Sequence, residues 1–153
     1  MYISKSRYCR YKACPKWMWL SLNKPNLAEP LDASSQKRME DGKKVGQCSK
    51  SFFSNTTDAS VLDSSGQPNL DVMIRKTKSL LNEGASTIAE ASFLVGNLFC
   101  SVDLLHRVSD GYEIYEVKAT TKVEYEHILD AAFQKYVLQK AGIAIQSTYI
   151  LHL

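Results

Sequence analysis

The apolar positions of this chain change their spacing part-way along, from patterns that suit helices to runs that suit strands. Residues 4–22 predict a helix, with Ser4 or Ser6 as its N-cap. Pro25 and Pro30 bound a loop, and Ser34 or Ser35 can cap a second helix that continues to about Phe53. Residues 54–69 are rich in Ser, Asn, Asp and Gly and read as a loop. Asp71–Asn82 carries Val72, Met73, Ile74, Leu80 and Leu81 and predicts a third helix, which Gly84 can stop. Thr87–Val95, Phe99–Val108 and Tyr112–Ala119 then predict three strands of a meander. Glu124–Ala141 predicts a helix stopped by Gly142, and Ile143–Leu151 a final strand. This order of helices, three strands, helix and strand predicts an α/β fold with a mixed central sheet flanked by helices.

Length changes the picture little: 153 residues make one domain with a real core. We expect a helical, basic N-terminal part over residues 1–53 and a core over 87–153. Net charge is only +3, but its distribution is uneven. Residues 1–24 carry Lys5, Arg7, Arg10, Lys12, Lys16 and Lys24 without an acid, with Tyr2, Tyr8, Tyr11, Trp17 and Trp19 interleaved. Basic groups contact phosphates and aromatic rings stack on bases, which suits a nucleic-acid surface. The competing reading is an amphipathic helix that buries Trp17 or Trp19.

The longest apolar run near the start, Trp17-Met18-Trp19-Leu20, is too short for a signal peptide or a membrane span. A cytoplasmic protein without a membrane partner is therefore expected, with Cys9, Cys14, Cys48 and Cys100 reduced. No Cys-x-x-Cys pair exists, so a zinc knuckle is not expected. Cys48 and Cys100 read as buried apolar residues.

The candidate chemistry lies in the meander. Asp110-Gly111 between two apolar runs is a hairpin signal. With those two residues as the loop, Asp103 lies opposite Lys118 and Glu116 is its diagonal neighbour. Strand side chains alternate faces, so Asp103, Glu116 and Lys118 share one face with Leu105 and Ile114. That face should be partly buried, and buried charges need partners or a metal. Mg²⁺ and Mn²⁺ take hard oxygen ligands, Mg²⁺ commonly one or two carboxylates with several waters. Such an ion lowers the pKa of its water and neutralises charge at a phosphorus. Lys118 can orient the attacking water or stabilise developing charge, and Gln134 on the following helix can position either. Asp130 lies one turn before Gln134, so a hydrogen bond between the two is expected. The competing reading of Glu116 and Lys118 is a solvated strand face.

At these residues the chain resembles the PD-(D/E)xK nuclease superfamily, specifically its RecB-like branch. The order there is an upstream acidic helix, an Asp, a Glu-x-Lys and a Gln-x-x-x-Tyr helix, matched here by Glu40, Asp103, Glu116 with Lys118, and Gln134. Further motifs resemble a bacterial RecB-like family. They are Tyr2-Ile3-Ser4-Lys5-Ser6, Cys14-Pro15-Lys16-Trp17-Met18-Trp19-Leu20, Glu40-Asp41-Gly42-Lys43-Lys44-Val45-Gly46, Glu90-Ala91-Ser92-Phe93 and the run Asp130 to Leu138.

The resemblance implies a restriction-endonuclease-like core and a metal-dependent deoxyribonuclease. Mg²⁺ or Mn²⁺ would sit on Asp103, Glu116 and the Val117 carbonyl, with Glu40 and Glu90 as possible additional site residues. With the basic distribution of residues 1–24, the expected nucleic-acid contacts are Lys5, Arg7, Arg10, Lys12 and Lys16, DNA above all. Cys14 matches an iron–sulfur ligand of full-length relatives whose other ligands lie in a C-terminal part, so no cluster is expected here. Leu138 stands at the Tyr position of the last motif, with Tyr136 near, and Gly46 stands where related iron–sulfur nucleases place a His. Family members continue for several hundred residues, so the resemblance implies a truncated N-terminal nuclease part, either a natural minimal domain or the product of a truncated or interrupted gene. A non-catalytic nucleic-acid-binding domain on the same fold, and an inactive fragment of a longer nuclease, remain the alternatives.

Overall fold

A computed structural model describes residues 2–153. The chain is α/β, with one mixed, open sheet of six strands flanked by helices. The strands are β1 (Ile3–Ser4), β2 (Thr56–Asp58), β3 (Thr87–Val95), β4 (Leu98–Val108), β5 (Gly111–Lys118) and β6 (Ile145–His152). The helices are α1 (Lys5–Ala13), α2 (Pro15–Asn23), α3 (Ala33–Ser49), α4 (Leu70–Asn82) and α5 (Tyr125–Lys140). A short 3₁₀ turn at Pro25–Leu27 follows α2.

Strand order along the sheet is β2-β3-β4-β5-β6, with β1 pairing β4 at its start. The β3–β4–β5 meander is antiparallel, whereas β2 runs parallel to β3 and β6 parallel to β5. The parallel β5–β6 pair needs a crossover, and α5 supplies it. Helix α5 starts on a reciprocal cap in which the Glu124 N–H donates to His127 Nδ1 at 3.1 Å. It packs Phe133, Val137 and Leu138 into a cluster with Ile88, Val102, Leu105 and Ile114 of the sheet. Helix α4 is capped by the Asn69 side chain, and its Thr77 hydroxyl accepts the Ser92 N–H at 2.9 Å, which ties the helix to β3.

Several expectations are corrected. The single helix over 4–22 is two helices, because Pro15 forces Cys14 into extended backbone (φ −163°, ψ 113°). Helix α3 is capped by Asp32, not Ser34 or Ser35, and ends at Ser49. Phe53 lies beyond it and stacks on His106, 4.0 Å between ring centroids. The expected loop over 54–69 contains β2, too short for its side-chain period to register. Neither Trp17 nor Trp19 is buried; both are about half exposed, and α2 has no buried residue. Cys100 is buried as expected, but Cys48 is exposed on α3.

Candidate active site

The β4–β5 hairpin sets the geometry. Its loop is Ser109-Asp110, with Val108 paired to Gly111. The pairing differs by two residues from the expected register, so its parity is the expected one, but alternation breaks at Asp103, where Val102 and Leu105 both join the core cluster. Continued from Leu104↔Tyr115, the ladder sets Asp103 opposite Glu116 rather than opposite Lys118. The ladder between Ala89↔Leu104 and Ala91↔Val102 likewise sets Glu90 opposite Asp103. By register the three acidic residues stand level across β3, β4 and β5, with Glu90 and Asp103 on the cleft beside α3 and Glu116 bonded to Gln134 of α5. Leu105 and Ile114, one step away, are fully buried, so this part of the sheet is covered as expected.

Glu116 is the most enclosed of the three, with only 1% of it exposed. Its Oε1 accepts Lys118 Nζ at 2.8 Å and Lys5 Nζ at 2.8 Å, and its Oε2 accepts the Gln134 side-chain amide. Burial pushes the Glu116 carboxyl up, but Lys5 and Lys118 outweigh it and hold the group below the ordinary glutamate range. Lys118 also donates to Asp130 Oδ2 at 2.5 Å. Burial opposes its charge, yet Glu116 and Asp130 overcome this and keep the ammonium protonated above its usual range. Asp130 Oδ1 in turn accepts the Cys9 thiol at 3.2 Å. Burial, reinforced by Asp130, pushes that thiol up to about 12, so it is a neutral donor. The expected bond between Asp130 and Gln134 is not made, because both side chains turn to the sheet.

Asp103 is placed differently. It accepts the Val117 N–H at 2.7 Å, and among the described residues no Lys, Arg or His pairs with it. Burial and the neighbouring Glu116 charge push its carboxyl up to about 7. Burial also raises Glu90, partly offset by a 3.2 Å bond from the Ser101 hydroxyl. Glu90 is the one non-glycine among the described residues with positive φ, 55°. Such conformations cost on the order of 1–3 kcal/mol and gather at functional sites.

Asp103, Glu90 and Val117 open on a cleft of about 620 Å³ whose far wall is α3, through Lys43, Gly46, Gln47 and Lys50. Glu40 is exposed on α3 outside this lining, so it is not brought to the site. Among the described residues no three His, Cys, Asp or Glu side chains form a ready-made metal cage. The donor set nevertheless fits a small hard cation. Asp103 lacks a counter-charge beside a second carboxylate, and a divalent ion there would offset their repulsion. The Gln134 side chain, bonded to Glu116 through its amide nitrogen, leaves a buried Oε1 without a partner.

The basic arm is only partly free. Lys12 and Lys16 are exposed. Arg7 donates to the Tyr2 carbonyl, and Arg10 lies over the Trp17 ring, 5.7 Å from its centroid. Lys5 is drawn onto Glu116 instead of standing in solvent. Cys14 is exposed at the α1–α2 break. No helix among the described residues is long and apolar enough to cross a membrane.

Sequence reasoning missed two members of this network. Lys5 carried a signal as one of several basic residues and within the Tyr2–Ser6 motif, not as the partner of Glu116, which lies 111 positions away. Asp130 was visible on the correct helix, but its partner was misassigned. Comparison with known proteins finds no matching family model, no matching curated protein and no matching solved structure.

Proposed function

We propose that this chain is a metal-dependent nuclease domain of RecB type, with a restriction-endonuclease-like core, that hydrolyses phosphodiester bonds of DNA. The observation that carries this reading is Asp103 in the wall of a cleft lined also by Lys43 and Lys50, with Glu116, bonded to Lys118 and Gln134, level with it on β5 and acting on its charge. Asp103 and Glu116, with the Val117 carbonyl, would hold Mg²⁺ or Mn²⁺. That ion, when bound, supplies an acidified water and charge neutralisation at the phosphorus. Lys118 is held cationic by Glu116 and Asp130, so it acts as a positive charge beside the attacking water and the developing oxyanion, not as a base. Gln134 fixes the Glu116 carboxylate plane. Exposed Lys12 and Lys16 give the nucleic-acid backbone a basic path beyond the cleft. A cytoplasmic location accords with this reading.

The second reading is a non-catalytic nucleic-acid-binding domain on the same fold. It is favoured by one observation: both Glu116 oxygens already hold protein partners. The test is an assay of the purified chain with Mn²⁺ on single- and double-stranded DNA beside Asp103→Asn. Asn keeps an acceptor for the Val117 N–H and removes the charge. Cleavage by the parent alone supports the nuclease. Salt-dependent DNA binding without cleavage by a cooperatively folded parent replaces it with the binding domain.

A further inference from the structure

The charges around Glu116 pair off. Lys118 is shared between Glu116 and Asp130, whereas Lys5 has Glu116 as its single ion-pair partner among the described residues. Two lysines and two acids thus balance, and Asp103 and Glu90 are left over on the cleft. A divalent cation across Asp103 and Glu116 brings two positive charges to two carboxylates. Lys5 is then surplus. It competes for the oxygen the cation would use, since its Nζ lies 2.8 Å from Glu116 Oε1. It is also the member best placed to move. Its side chain is 24% exposed, and it begins α1 directly after β1, next to the paired β4 strand. A phosphodiester offers the displaced Lys5 ammonium a new anionic partner.

On the metal-site reading above, we propose that Lys5 is a positioning residue exchanged between Glu116 and substrate. It neutralises Glu116 in the metal-free protein and passes to a nucleic-acid phosphate when a divalent cation takes its place.

The experiment is a calorimetric Mn²⁺ titration of the full chain and of Lys5→Met, without nucleic acid. Binding of a labelled single-stranded DNA oligonucleotide is then measured with and without saturating Ca²⁺, which replaces Mn²⁺ to suppress turnover. Lys5→Met is expected to bind Mn²⁺ at least about tenfold more tightly, because a competing charge is gone. With Ca²⁺ it should bind the oligonucleotide about tenfold more weakly, and without metal as well as the parent does.

Unchanged Mn²⁺ affinity overturns the proposal. So does an oligonucleotide defect of equal size without metal, which would make Lys5 an ordinary phosphate contact. Failure of the parent itself to bind Mn²⁺ overturns the metal site and this inference with it. Lys5→Gln, which can still donate to Glu116, serves the same comparison if Lys5→Met does not melt cooperatively.

Discussion

Lys118 and Asp130 are joined Nζ to Oδ2 at 2.5 Å, between the end of β5 and the first turns of α5. This bond ties the sheet to the crossover helix and divides the lysine charge between two carboxylates. Asp130→Asn should therefore lower the turnover of the proposed nuclease by about 10- to 100-fold, the range for residues that hold a reacting group in place. The alkaline limb of its pH profile should move to lower pH, because one of the groups raising the Lys118 pKa is gone. The fold should lose about 1–3 kcal/mol, since a nearly buried ammonium is left with a weaker partner. Turnover, pH profile and melting are measured together. A stability loss with the pH profile unmoved would leave Asp130 a purely structural residue.

How much of this was legible can be argued residue by residue. The hairpin parity that relates Asp103 to Glu116 and Lys118 is legible, because strand side chains alternate and only whether the loop count is odd or even matters. The register is not. The Asp-Gly pair reads as the loop in sequence, whereas Gly111 belongs to β5 and packs on Ala144 of the segment before β6. That contact is tertiary and leaves no local trace. The meander and α5 were legible because each is long enough for its period to show. The strands β1 and β2, of two and three residues, exist through pairing with β4 and β3. The pairing of Lys5 with Glu116 is unreadable for a similar reason: nothing near Lys5 in sequence says that its ammonium meets a carboxylate on β5.

Gly111 offers a direct check of the register. Its φ is 146°, and a Cβ there would lie 2.3 Å from the Ala144 carbonyl oxygen, a backbone atom with little room to yield. Gly111→Ala should destabilise the fold by about 2–3 kcal/mol, seen as a lower denaturation midpoint at unchanged slope. A neutral substitution would mean that β5 and β6 do not approach here as described.

The basic N-terminal arm makes a separate prediction, independent of catalysis. Lys12 and Lys16 are exposed, and among the described residues neither has an ion-pair partner. Replacing both with Ala should weaken duplex DNA binding uniformly across sequences. The slope of log affinity against log salt should become shallower by about two. Stability should stay within about 0.5 kcal/mol of the parent, as for most exposed substitutions. An unchanged salt slope would remove the arm from the nucleic-acid interface.

The most telling prediction concerns the pH dependence of the metal-free protein. The Asp103 carboxyl lies at about 7 in the fold, above the ordinary aspartate value of about 3.9 that the unfolded chain has. The folded state therefore binds more protons than the unfolded state between those values, and stability falls as pH rises through that window. Glu90, raised by burial, acts in the same direction. In EDTA the chain should melt at a higher temperature at pH 5.5 than at pH 7.5. Saturating Mn²⁺ should cancel the difference, because the ion binds the ionised form that the fold otherwise penalises. Mn²⁺ affinity should rise by up to about tenfold per pH unit below 7 and level off above it, with one proton released per ion bound at acidic pH. Asp103→Asn removes the unpaired charge but keeps an acceptor for the Val117 N–H. It should raise the EDTA melting temperature at pH 7.5 and abolish both the pH trend and tight Mn²⁺ binding. If the variant is no more stable than the parent at pH 7.5 and binds Mn²⁺ as well, Asp103 is not the uncompensated carboxylate of a metal site.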